Sequence, residues 1–567
     1  MTRDEQLSYY RTNPDVSVLI IGAGINGIGT FRDLALQGVD VLLIDRGDFC
    51  SGTSAASSHM VHGGIRYLEN GEFRLVREAV QERNRLIQNA PHAVKPLATV
   101  IPIFKRFSGL LNAPLKFLRL LNRPAERGSL IIKLGLMMYD AYTRAQGTVP
   151  GHQLFNRQES LARYPKLNPA IVHTATYFDA AMPSPERICI ELVLDGEVAS
   201  PQAQALNYVS AIGAAGDTLT LRDELSGQTL TIKPKVVVNA AGPWIDFANR
   251  ALGRETRFIG GTKGSHLVLE HPELRQAIGQ EEFFFENQDG RIVLIYPLLD
   301  KVLVGTSDIH IDNPDEARCT EEEIDYFIEL IARVFPSIEV DKSHVVFSFS
   351  GVRPLPASDA TTTGQISRDH SIRTLQAENG LAFPIHSLIG GKWTTYRAFS
   401  EQTADLLLNQ LGLPRQQSTA DLPIGGGRDY PGSETAKEQW LARLQTETGL
   451  SLNRLDVLFQ RYGTRAEEVA AFITESDDMP LSHHPGYSRR EALFLAQQEK
   501  VILLDDLILR RTLIGMLGET TPDLLKELAQ VIAEALGWTD EQQQAEVDRT
   551  LALLADRHGV EFANQIS

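Results

Sequence analysis

Residues 16–45 read VSVLIIGAGINGIGTFRDLALQGVDVLLID, and this stretch decides the N-terminal fold. It begins with a β-branched apolar run over residues 16–21, which is typical of a fully buried parallel strand. A glycine turn of the pattern G-x-G-x-x-G follows, then a helical pattern, and then a second apolar run over residues 39–45 that ends on Asp45. Strand, glycine turn, helix, strand and acid in this order predict a dinucleotide-binding unit.

Each residue of this fingerprint has a physical reason. Gly22 permits the tight turn, Gly24 lets the backbone approach a pyrophosphate, and Gly27 lets the helix pack closely on the sheet. The amide groups and dipole of the helix N-terminus then face the diphosphate, and Asp45 accepts hydrogen bonds from the adenosine ribose. The alternative is a glycine-rich turn that serves packing alone.

Length and composition describe a large, acidic and cysteine-poor chain. Its 567 residues predict two or three domains, and its 43% hydrophobic and 22% charged residues are typical of soluble globular proteins. The formal net charge of −17 argues against nucleic-acid binding, because phosphate backbones carry the same sign. Three scattered cysteines exclude a disulfide framework and form no metal cluster, and no secretory signal or spanning segment is visible. We therefore expect a cytoplasmic protein without a metal site.

The charge is unevenly distributed along the chain. Residues 421–567 contain 25 acidic and 14 basic residues, a net charge of −11, whereas residues 103–144 carry +6. Within this basic segment, PLKFLRLLNR (114–123) places Lys116, Arg119 and Arg123 on one helical face. Such a helix could lie on an anionic bilayer, at the inner face of the cytoplasmic membrane, or it could be a surface helix with a solvated face.

Patterns beyond the fingerprint predict further strands and a helical end. Apolar, β-branched runs at 235–241, 302–308 and 345–349 predict strands, and the Gly/Pro-rich stretch 421–434 predicts a linker. Apolar residues at three- and four-residue spacing over 434–448, 465–474, 491–515 and 522–557 predict a helical C-terminal domain.

Seven further blocks carry a resemblance to a known family. They read SGTSAASSHMVHGGIRYLENGEFRLVREA (51–79), GTKGSHLVL (261–269), VGTSD (304–308), SGVRPL (350–355), SRDHSI (367–372), IGGKWTTY (389–396) and DLILRRT (506–512). In this order, and together with the N-terminal fingerprint, they resemble the FAD-dependent glycerol-3-phosphate dehydrogenase/oxidase family over most of the chain. One block departs from the common pattern S-T-K-L-I-H-G-G, because Ser58, His59 and Met60 replace T-K-L. A cationic role at His59 is therefore in doubt.

The resemblance implies an α/β architecture of the glutathione-reductase type. It comprises a discontinuous Rossmann-like FAD-binding domain, an α+β substrate domain with an antiparallel sheet, and an all-α C-terminal domain. The expected boundaries are 1–100, 151–255 and 351–420 for the three parts of the FAD domain, the last with active-site loops, 101–150 for a basic helical insertion, 256–350 for the substrate domain, 421–434 for the linker and 435–567 for the helical domain.

The resemblance also implies an activity. Family members oxidise sn-glycerol 3-phosphate to dihydroxyacetone phosphate and pass the electrons from flavin to quinone or to dioxygen. Two alternatives remain open at this point: an amine or hydroxy-acid oxidase of the same architecture, and a non-catalytic FAD-binding module. The arginine-containing blocks argue against a neutral substrate.

The family's FAD contacts map onto several blocks of this sequence. Beside the fingerprint residues, Ser51, Thr53 and Ser54 would offer hydroxyl groups to the diphosphate and ribitol. Ala205 lies where family members make a backbone contact with adenine. The residues expected to border the ribitol and isoalloxazine are Gly242, Trp244, Asp308, Lys392 and Thr394.

The substrate phosphate requires a local cationic pocket in so acidic a protein. Arg66, Arg353 and Arg368 stand in three of the family blocks, and Tyr67 adds a hydroxyl donor. The alternative for each arginine is a structural salt bridge. Lys392, between two glycines and the Trp393-Thr394-Thr395 run, is expected to open a helix at 394–408 and to stabilise negative charge on the reduced flavin.

Oxidation of an alcohol also requires a base within reach of the hydroxyl group. His62 is the candidate, because a neutral imidazole suits this task near neutral pH. The alternatives are that His62 packs against the flavin or binds it covalently, and that His386 or His266 is the base. The predicted catalytic set is therefore His62, Lys392 and Arg353.

Overall fold

The computed structural model describes residues 1–65, 72–105, 129–143, 149–286, 292–357 and 369–562. Three residues of the predicted phosphate pocket, Arg66, Tyr67 and Arg368, lie outside these ranges. The predicted helix over 114–123 also lies outside the described residues.

An eight-stranded sheet forms around the strand of the N-terminal fingerprint. Its central strands are parallel and buried on both faces, which explains their continuous apolar sequences. In spatial order the strands are Ser371–Leu375, Ile385–Ile389, Thr229–Asn239, Asp15–Ile21, Val41–Ile44 and Ala203–Leu206, with the hairpin strands Val209–Ala215 and Thr218–Asp223 attached to Thr229–Asn239.

Helices cover both faces of this parallel sheet. A Cβ on Gly196 would lie 2.5 Å from the ring of Phe31, and one on Gly29 would overlap Ser400, so glycine lets three helices pack together on one face. These helices are Ile25–Leu36, Pro185–Ala199 and Tyr396–Leu411, while Arg3–Thr12 packs on the opposite face and Ile245–Ala251 follows the strand Thr229–Asn239.

A second, ten-stranded sheet is antiparallel except for one pair, in which Glu282–Glu286 runs parallel to Lys95–Ile103. In spatial order its strands are Ile309–His310, Thr262–Leu269, Lys301–Gly305, Ile292–Leu298, Glu282–Glu286, Lys95–Ile103, His173–Ala181 and Met60–Val61, with Val345–Arg353 beside Thr262–Leu269 and Gln153–Asn156 beside His173–Ala181. The antiparallel sheet therefore extends beyond the expected substrate segment 256–350. The parallel pair joins that segment to four strands that precede residue 256, namely Met60–Val61, Lys95–Ile103, Gln153–Asn156 and His173–Ala181.

Helices outside this antiparallel sheet complete its cores. Glu321–Val334 and Pro272–Ile278 pack on the strands after residue 260, and Phe73–Asn89 and Ser129–Thr143 pack on the strand His173–Ala181, with Arg157–Arg163 nearby. Single 3₁₀ turns occur at Gly242–Trp244, Pro314–Glu316, Lys342–His344, Gly425–Gly427 and Gly463–Arg465.

The C-terminal part is helical, as the apolar spacing predicts. Its helices are Glu434–Thr448, Leu452–Tyr462, Ala466–Thr474, Arg489–Gln498, Leu504–Asp506, Pro522–Leu536 and Asp540–His558. The continuous helices expected over 491–515 and 522–557 are wrong in detail. The first breaks after Gln498 and resumes as a short turn and a π-helical segment, Leu507–Arg511, and the second is divided by Gly537 in a left-handed conformation.

None of the helices in the described ranges combines the length and the apolar character needed to cross a membrane.

Candidate active site

One large cavity, of about 2140 Å³, opens between the two sheets and the C-terminal helices. Its wall brings together residues that stand in separate sequence blocks. They are Gly22, Gly24, Asp45, Ser51, Thr53, Ser54, His62, Gly242, Trp244, Asp308, Arg353, Lys392 and Thr394. The volume exceeds the usual range for a site that holds one small ligand, so a dinucleotide and a small substrate can share it.

The glycine turn has the geometry that a dinucleotide fingerprint requires. Gly22 has a φ of +104°, and a Cβ there would lie 2.7 Å from the carbonyl carbon of Ala240. A Cβ on Gly27 would overlap the carbonyl oxygen of Gly22, so only glycine lets the helix follow the strand this closely. Gly24 is the N-cap residue of that helix and faces the cavity without a side chain. This cradle fits a diphosphate group.

Asp45 lies at one end of the cradle, on the cavity wall. Its Oδ2 accepts a hydrogen bond of 2.7 Å from the amide of Ala23, and its Oδ1 accepts one of 2.9 Å from the amide of Gly47. Burial raises the pKa of Asp45 to about 6, and the two amide hydrogen bonds offset only part of this rise. Each carboxylate oxygen keeps a further lone pair, which a ribose hydroxyl can use.

The loop that carries the hydroxyl side chains is tied to two other elements. The hydroxyl of Thr53 donates to the carbonyl of Val352 at 2.7 Å, and the indole N–H of Trp393 donates to the carbonyl of Ser54 at 2.8 Å. The Ser54 hydroxyl accepts from the amide of Ile25 at 2.9 Å, at the start of the fingerprint helix. Ser54 therefore satisfies one amide of the helix N-terminus, while Ser51 is exposed on the cavity wall.

Arg353 ends the strand Val345–Arg353 and is held by three acceptors. Its Nη1 lies 3.2 Å from Oδ1 of Asp308, and its Nη2 lies 3.0 Å from the hydroxyl of Thr306 and 3.2 Å from the carbonyl of Ser307. A Cβ on Gly264 of the neighbouring strand would overlap the guanidinium, so glycine makes room for it. The side chain is 24% exposed and lines the cavity, where a guanidinium can meet an anionic ligand.

A buried ionic group lies behind the loop that holds Arg353. Glu323 accepts hydrogen bonds from Lys263 at 2.6 Å, from the Ser307 hydroxyl at 2.5 Å and from the Ser265 hydroxyl at 2.9 Å. The pKa of Glu323 is low although burial alone would raise it, because the hydrogen bonds from Lys263 and Ser307 outweigh burial. Glu323 therefore fixes the segment whose carbonyl and hydroxyl groups orient Arg353.

His62 lies half-buried on the cavity wall, and its loop is held at both ends. The hydroxyl of Thr394 donates to the carbonyl of His62 at 3.0 Å. The amide of the next residue, Gly63, donates to Oδ1 of Asp179 at 2.9 Å, and a Cβ on Gly63 would overlap the Tyr139 hydroxyl. Two contacts from different elements thus fix the backbone on either side of the predicted base.

Asp179 belongs to a fully buried ion pair. Its Oδ1 also accepts from Arg83 Nη1 at 3.0 Å and from the Tyr139 hydroxyl at 2.6 Å. The side chain of Arg83 is 0% exposed and that of Asp179 is 2% exposed. Burial and the Asp179 charge raise the pKa of Tyr139 well above its usual value, so this hydroxyl remains a donor.

The histidines proposed as alternative bases differ in position. The His266 ring stacks on Phe349 with 4.9 Å between centroids, and its Nε2 lies 2.8 Å from the hydroxyl of Ser58. Burial, with the charge of Arg353, holds the pKa of His266 well below its usual value. His266 lines the cavity, whereas His386 lies between Thr374 and Gln410 and does not. The alternative of His386 as base is therefore wrong.

His59, which stands where the family pattern has lysine, is completely buried. Its Nδ1 lies 2.7 Å from the carbonyl of Pro183, and burial lowers its pKa to about 4. His59 is thus a neutral imidazole near pH 7, and it does not line the cavity. The departure from the family pattern removes a positive charge from this position.

Lys392 lies half-buried on the cavity wall, directly after two glycines with positive φ, Gly390 at +75° and Gly391 at +94°. The helix that follows begins at Tyr396, two residues later than predicted, with Thr395 as its N-cap residue. The lysine therefore lies in the turn that precedes a helix N-terminus, where both the ammonium and the helix dipole favour a negative ligand group.

At the rim of the cavity, Trp244 connects the two sheets. Its indole N–H donates to Oδ1 of Asp315 at 2.9 Å, and the guanidinium of Arg46 lies 4.8 Å from the centre of its ring. Gly242, with a φ of +56°, forms the turn that places the indole there. Trp244 thus closes one side of the cavity.

The placement of Ala205 contradicts its predicted contact with adenine. Its amide donates to Oε1 of Glu197 at 3.0 Å, and its carbonyl accepts from Lys500 at 3.2 Å. Ala205 lies inside the parallel sheet, paired with Leu43, and is absent from the cavity wall. Val209, whose amide donates to the carbonyl of Asp45, is at the wall instead.

Sequence reasoning missed the residues that fix the loops, above all Arg83 and Asp179. A signal for Arg83 exists, because it falls on the buried face of the helix Phe73–Asn89 together with Val76 and Val80. A charged side chain on the apolar face of a helix requires a buried partner. The identity of that partner depends on the tertiary fold.

Comparison with known proteins gives this geometry a family. A sequence profile described as FAD dependent oxidoreductase matches residues 17–396, which contain both sheets and the cavity residues named above. The chain belongs to the FAD-dependent oxidoreductase family. Residues 417–543 match a second profile, described as the C-terminal domain of alpha-glycerophosphate oxidase. The family fits the site, because the glycine cradle, the helix N-terminus and Asp45 provide what the diphosphate and ribose of FAD require.

Full-length relatives support the same assignment. A glycerol-3-phosphate dehydrogenase of Synechocystis sp. is 33% identical over 95% of this chain and 96% of its own length. One of Pseudomonas aeruginosa is 30% identical over 88% of this chain and 92% of its own length. The crystal structure of the glycerol-3-phosphate dehydrogenase from Bacillus halodurans, complexed with FAD, has the same fold, with a TM-score of 0.76 over 100% of this chain and 99% of that one at 23% identity. These matches confirm the predicted α/β fold and FAD as the cofactor of the family.

Proposed function

We propose that this chain oxidises sn-glycerol 3-phosphate to dihydroxyacetone phosphate. The observation that carries the proposal is Arg353, a guanidinium held in place by Asp308, Thr306 and Ser307 and open to the same cavity as His62 and the dinucleotide cradle. A fixed arginine fork favours a phosphate ester over a neutral amine substrate. The full-length relatives that bear the name glycerol-3-phosphate dehydrogenase support the same substrate.

In this proposal the phosphate is bound by arginines. Arg353 supplies one charge-assisted contact, and Arg66, Tyr67 and Arg368, which lie outside the described residues, are proposed as further phosphate ligands from the family resemblance alone. Asp308, with Thr306 and Ser307, keeps the guanidinium in one orientation, so that less rotamer entropy is lost when the phosphate binds.

The chemical step removes a proton from the hydroxyl oxygen and a hydride from the carbon of a secondary alcohol, and leaves a ketone. Bound FAD supplies the acceptor for the hydride that leaves the substrate carbon. His62 takes the hydroxyl proton, and Thr394 and Asp179 hold the backbone on either side of it, so that the imidazole meets the substrate in a fixed geometry. His266 is the remaining alternative for the base. Lys392, with the helix N-terminus beside it, would stabilise the negative charge that the cofactor gains when it is reduced.

FAD would be held by the residues of the cradle and its neighbours. Gly22, Gly24, Gly27 and Asp45 bind the ADP half, and Ser51, Thr53 and Ser54 line the path toward the ring. The proposed contacts of the ribitol and isoalloxazine are Gly242, Trp244, Asp308, Lys392 and Thr394. We assign the adenine contact to Val209 in place of Ala205, because Val209 reaches the cavity wall beside Asp45.

Anaerobic mixing of the FAD-loaded protein with sn-glycerol 3-phosphate tests the substrate. We expect the flavin absorbance at 450 nm to bleach with this ester and not with glycerol, glycine or lactate. Bleaching by amines or hydroxy acids alone would instead indicate another oxidase of this architecture, and bleaching by no substrate would indicate a non-catalytic module.

A matched pair of arginine variants tests the phosphate contact. Arg353→Ala removes one charge-assisted contact to the phosphate, which contributes about 1.5–3 kcal/mol, so kcat/KM should fall by roughly 10- to 10²-fold. Arg373→Ala, at an exposed position on the edge strand, serves as the control and should leave kcat/KM unchanged. Equal behaviour of the two variants would remove Arg353 from the site.

We further propose that the electrons pass to a quinone, with dioxygen as the alternative acceptor, and that the segment 103–144 contacts the inner face of the cytoplasmic membrane. The described part of this segment supports the proposal, because the helix Ser129–Thr143 exposes Leu134 at 61% and Met137 at 53% beside an exposed Lys133. Turnover with a soluble quinone, dioxygen or a dye as acceptor tests the first part. Flotation with anionic liposomes, compared between wild type and a Leu134→Ser/Met137→Ser variant, tests the second.

A further inference from the structure

The last block of the family resemblance, DLILRRT (506–512), has no role assigned to it so far, although its residues Leu509 and Arg510 line the same cavity. Its two arginines, Arg510 and Arg511, lie on the π-helical segment of the C-terminal domain and reach across to Asp48 in the FAD domain. Arg510 Nε donates to Oδ2 of Asp48 at 2.6 Å. Arg511 forms a fork, with Nη1 at 2.8 Å from Oδ2 and Nη2 at 3.0 Å from Oδ1. We call Asp48, Arg510 and Arg511 the interdomain cluster.

The three side chains of the interdomain cluster are buried, and their hydrogen bonds fix their relative orientation. Asp48 is 1% exposed, Arg510 7% and Arg511 5%. Burial alone would raise the pKa of Asp48, but the charges of Arg511 and Arg510 outweigh it and hold this pKa at about 2. The carboxylate is therefore charged near neutral pH, and both of its oxygens accept hydrogen bonds from the other domain.

Asp48 stands inside the loop that meets the cofactor. Three residues before it, Asp45 lies at one end of the cradle, and three residues after it Ser51 lines the cavity. The loop is internally bonded, because the amide of Ser51 donates to the carbonyl of Asp48 at 3.3 Å and the amide of Gly47 donates to the Asp45 carboxylate at 2.9 Å. A displacement of Asp48 would therefore also move Asp45 and Ser51, because each lies three residues from it in the same hydrogen-bonded loop.

The two arginines of the interdomain cluster differ in the carboxylates that they contact. Arg510 also donates to Asp505 and Asp506 of its own domain, each at 2.6 Å. Among the described residues, Asp48 is the one carboxylate that accepts a hydrogen bond from Arg511, whose Nε donates instead to the carbonyl of Glu499. Arg511 is therefore the member whose side chain is placed for the contact with the loop.

We propose that the interdomain cluster gives the helical C-terminal domain a role in FAD binding. Arg511 holds Asp48 and thereby keeps the loop 45–51 in the conformation that presents Asp45 and Ser51 to the cofactor. Arg510 and Arg511 are positioning residues in this scheme, since they act through Asp48. The inference rests on FAD binding and is independent of which alcohol the enzyme oxidises. By linkage, FAD that binds the ordered loop also strengthens the contact between the two domains.

The test measures FAD affinity in apoprotein prepared from three variants. Arg511→Gln should raise the FAD Kd at least about tenfold, because a fork to a buried carboxylate is lost, and Arg511→Lys should lie between it and wild type. Arg187→Gln is the matched control, since Arg187 forms an equally buried fork to Glu499 across the same two domains, at 2.5 Å and 2.8 Å. Arg187 also donates to the backbone carbonyl of Arg511 at 3.2 Å, but no hydrogen bond joins it to the loop 45–51 among the described residues. This control variant should lower the melting temperature while changing the FAD Kd less than about threefold.

A second readout follows the loop itself. In apoprotein, amide hydrogen exchange over residues 45–51 should be faster in Arg511→Gln than in wild type and unchanged in Arg187→Gln. A wild-type FAD Kd and wild-type exchange in Arg511→Gln would overturn the proposal, as would an equal rise of the FAD Kd in Arg187→Gln, because domain contact in general would then be responsible. Should Arg511→Gln fail to fold, Arg511→Lys carries the same comparison. Failure of the wild-type protein to oxidise glycerol 3-phosphate while binding FAD would refute the proposed substrate and leave this inference intact.

Discussion

The substitution Asp179→Asn separates the stability of the active-site loop from its chemistry. In the native protein Oδ1 of Asp179 accepts from Arg83, from Tyr139 and from the amide of Gly63. The amide side chain of asparagine preserves the shape and one acceptor oxygen but removes the negative charge. Among the described residues, the fully buried guanidinium of Arg83 then keeps neutral acceptors alone, such as the carbonyl of Phe178 at 2.9 Å.

The cost in stability can be worked from this geometry. Removing one partner of a buried ion pair costs about 3–5 kcal/mol, and we take the lower end because Asn retains an acceptor. With an unfolding entropy of about 2.1 cal/mol/K per residue and 567 residues, roughly 3 kcal/mol lowers the melting temperature by only about 2–3 °C if the chain unfolds as one unit. The variant should therefore fold and bind FAD.

The effect on turnover should be larger than the effect on stability. The amide of Gly63 loses a charged acceptor next to His62, so the loop gains freedom where the imidazole must meet the substrate hydroxyl. A displacement of about 1 Å in a catalytic group can cost roughly 10²-fold in rate. We expect kcat with glycerol 3-phosphate to fall by about this factor, with KM and FAD occupancy close to wild type.

A double variant decides between positioning and general stability. Replacing the pair by apolar groups, Arg83→Met with Asp179→Leu, removes the stranded charge, and such replacements are often neutral or stabilising. The melting temperature should recover toward wild type, while kcat stays low because the Gly63 amide still lacks its acceptor. Recovery of kcat together with stability, or a wild-type kcat in Asp179→Asn, would refute the reasoning.

Three further predictions concern the cofactor and the domain contact. Gly27→Ala should abolish FAD retention, because its Cβ would overlap a carbonyl oxygen of the glycine turn, whereas Gly135→Ala, with open space around the added methyl, should retain full flavin occupancy. The FAD Kd should rise as pH falls through about 6, where Asp45 gains a proton and loses acceptor strength, and should be independent of pH in Asp45→Asn. Burial lowers the pKa of His558 from 6.5 to about 4, so the unfolded chain takes up a proton at a higher pH than the folded protein does. The free energy of unfolding should therefore decrease as pH falls from 6.5 toward 4. Thermal denaturation should show a smaller decrease in His558→Phe.

Local physical rules explain which parts of the fold the sequence could predict. The glycine turn and Asp45 are specified within thirty residues by backbone sterics and by the reach of one carboxylate, and the structure has both where they were predicted. The strand predicted over 235–241 overlaps the end of Thr229–Asn239 and runs two residues past it, and that over 302–308 overlaps Lys301–Gly305 and runs three residues past it. Apolar runs locate strands well, because burial on two faces leaves little choice of residue.

The supports of the site escaped prediction because they are contacts between distant parts of the chain. Asp179 meets Gly63 across 116 positions and Arg83 across 96, and no local pattern marks such a meeting. Ala205 was misplaced for the opposite reason. The family resemblance gives only the position of Ala205 along the chain. In this sheet its amide already donates to Glu197 and its carbonyl already accepts from Lys500.

Net charge illustrates the same division between local and long-range information. The value of −17 counts every ionised side chain equally, although Arg83, Arg510 and Arg511 are buried beside carboxylates and contribute almost nothing to the field outside the protein. Arg353 differs, because about a quarter of its side chain is exposed and it lines the cavity. A phosphate polymer responds to the whole field and is repelled, whereas a small phosphate ester inside the cavity responds to this one fork. An acidic protein can therefore bind a phosphorylated substrate, and raising the ionic strength should weaken that binding much less than it weakens contacts at the exposed surface.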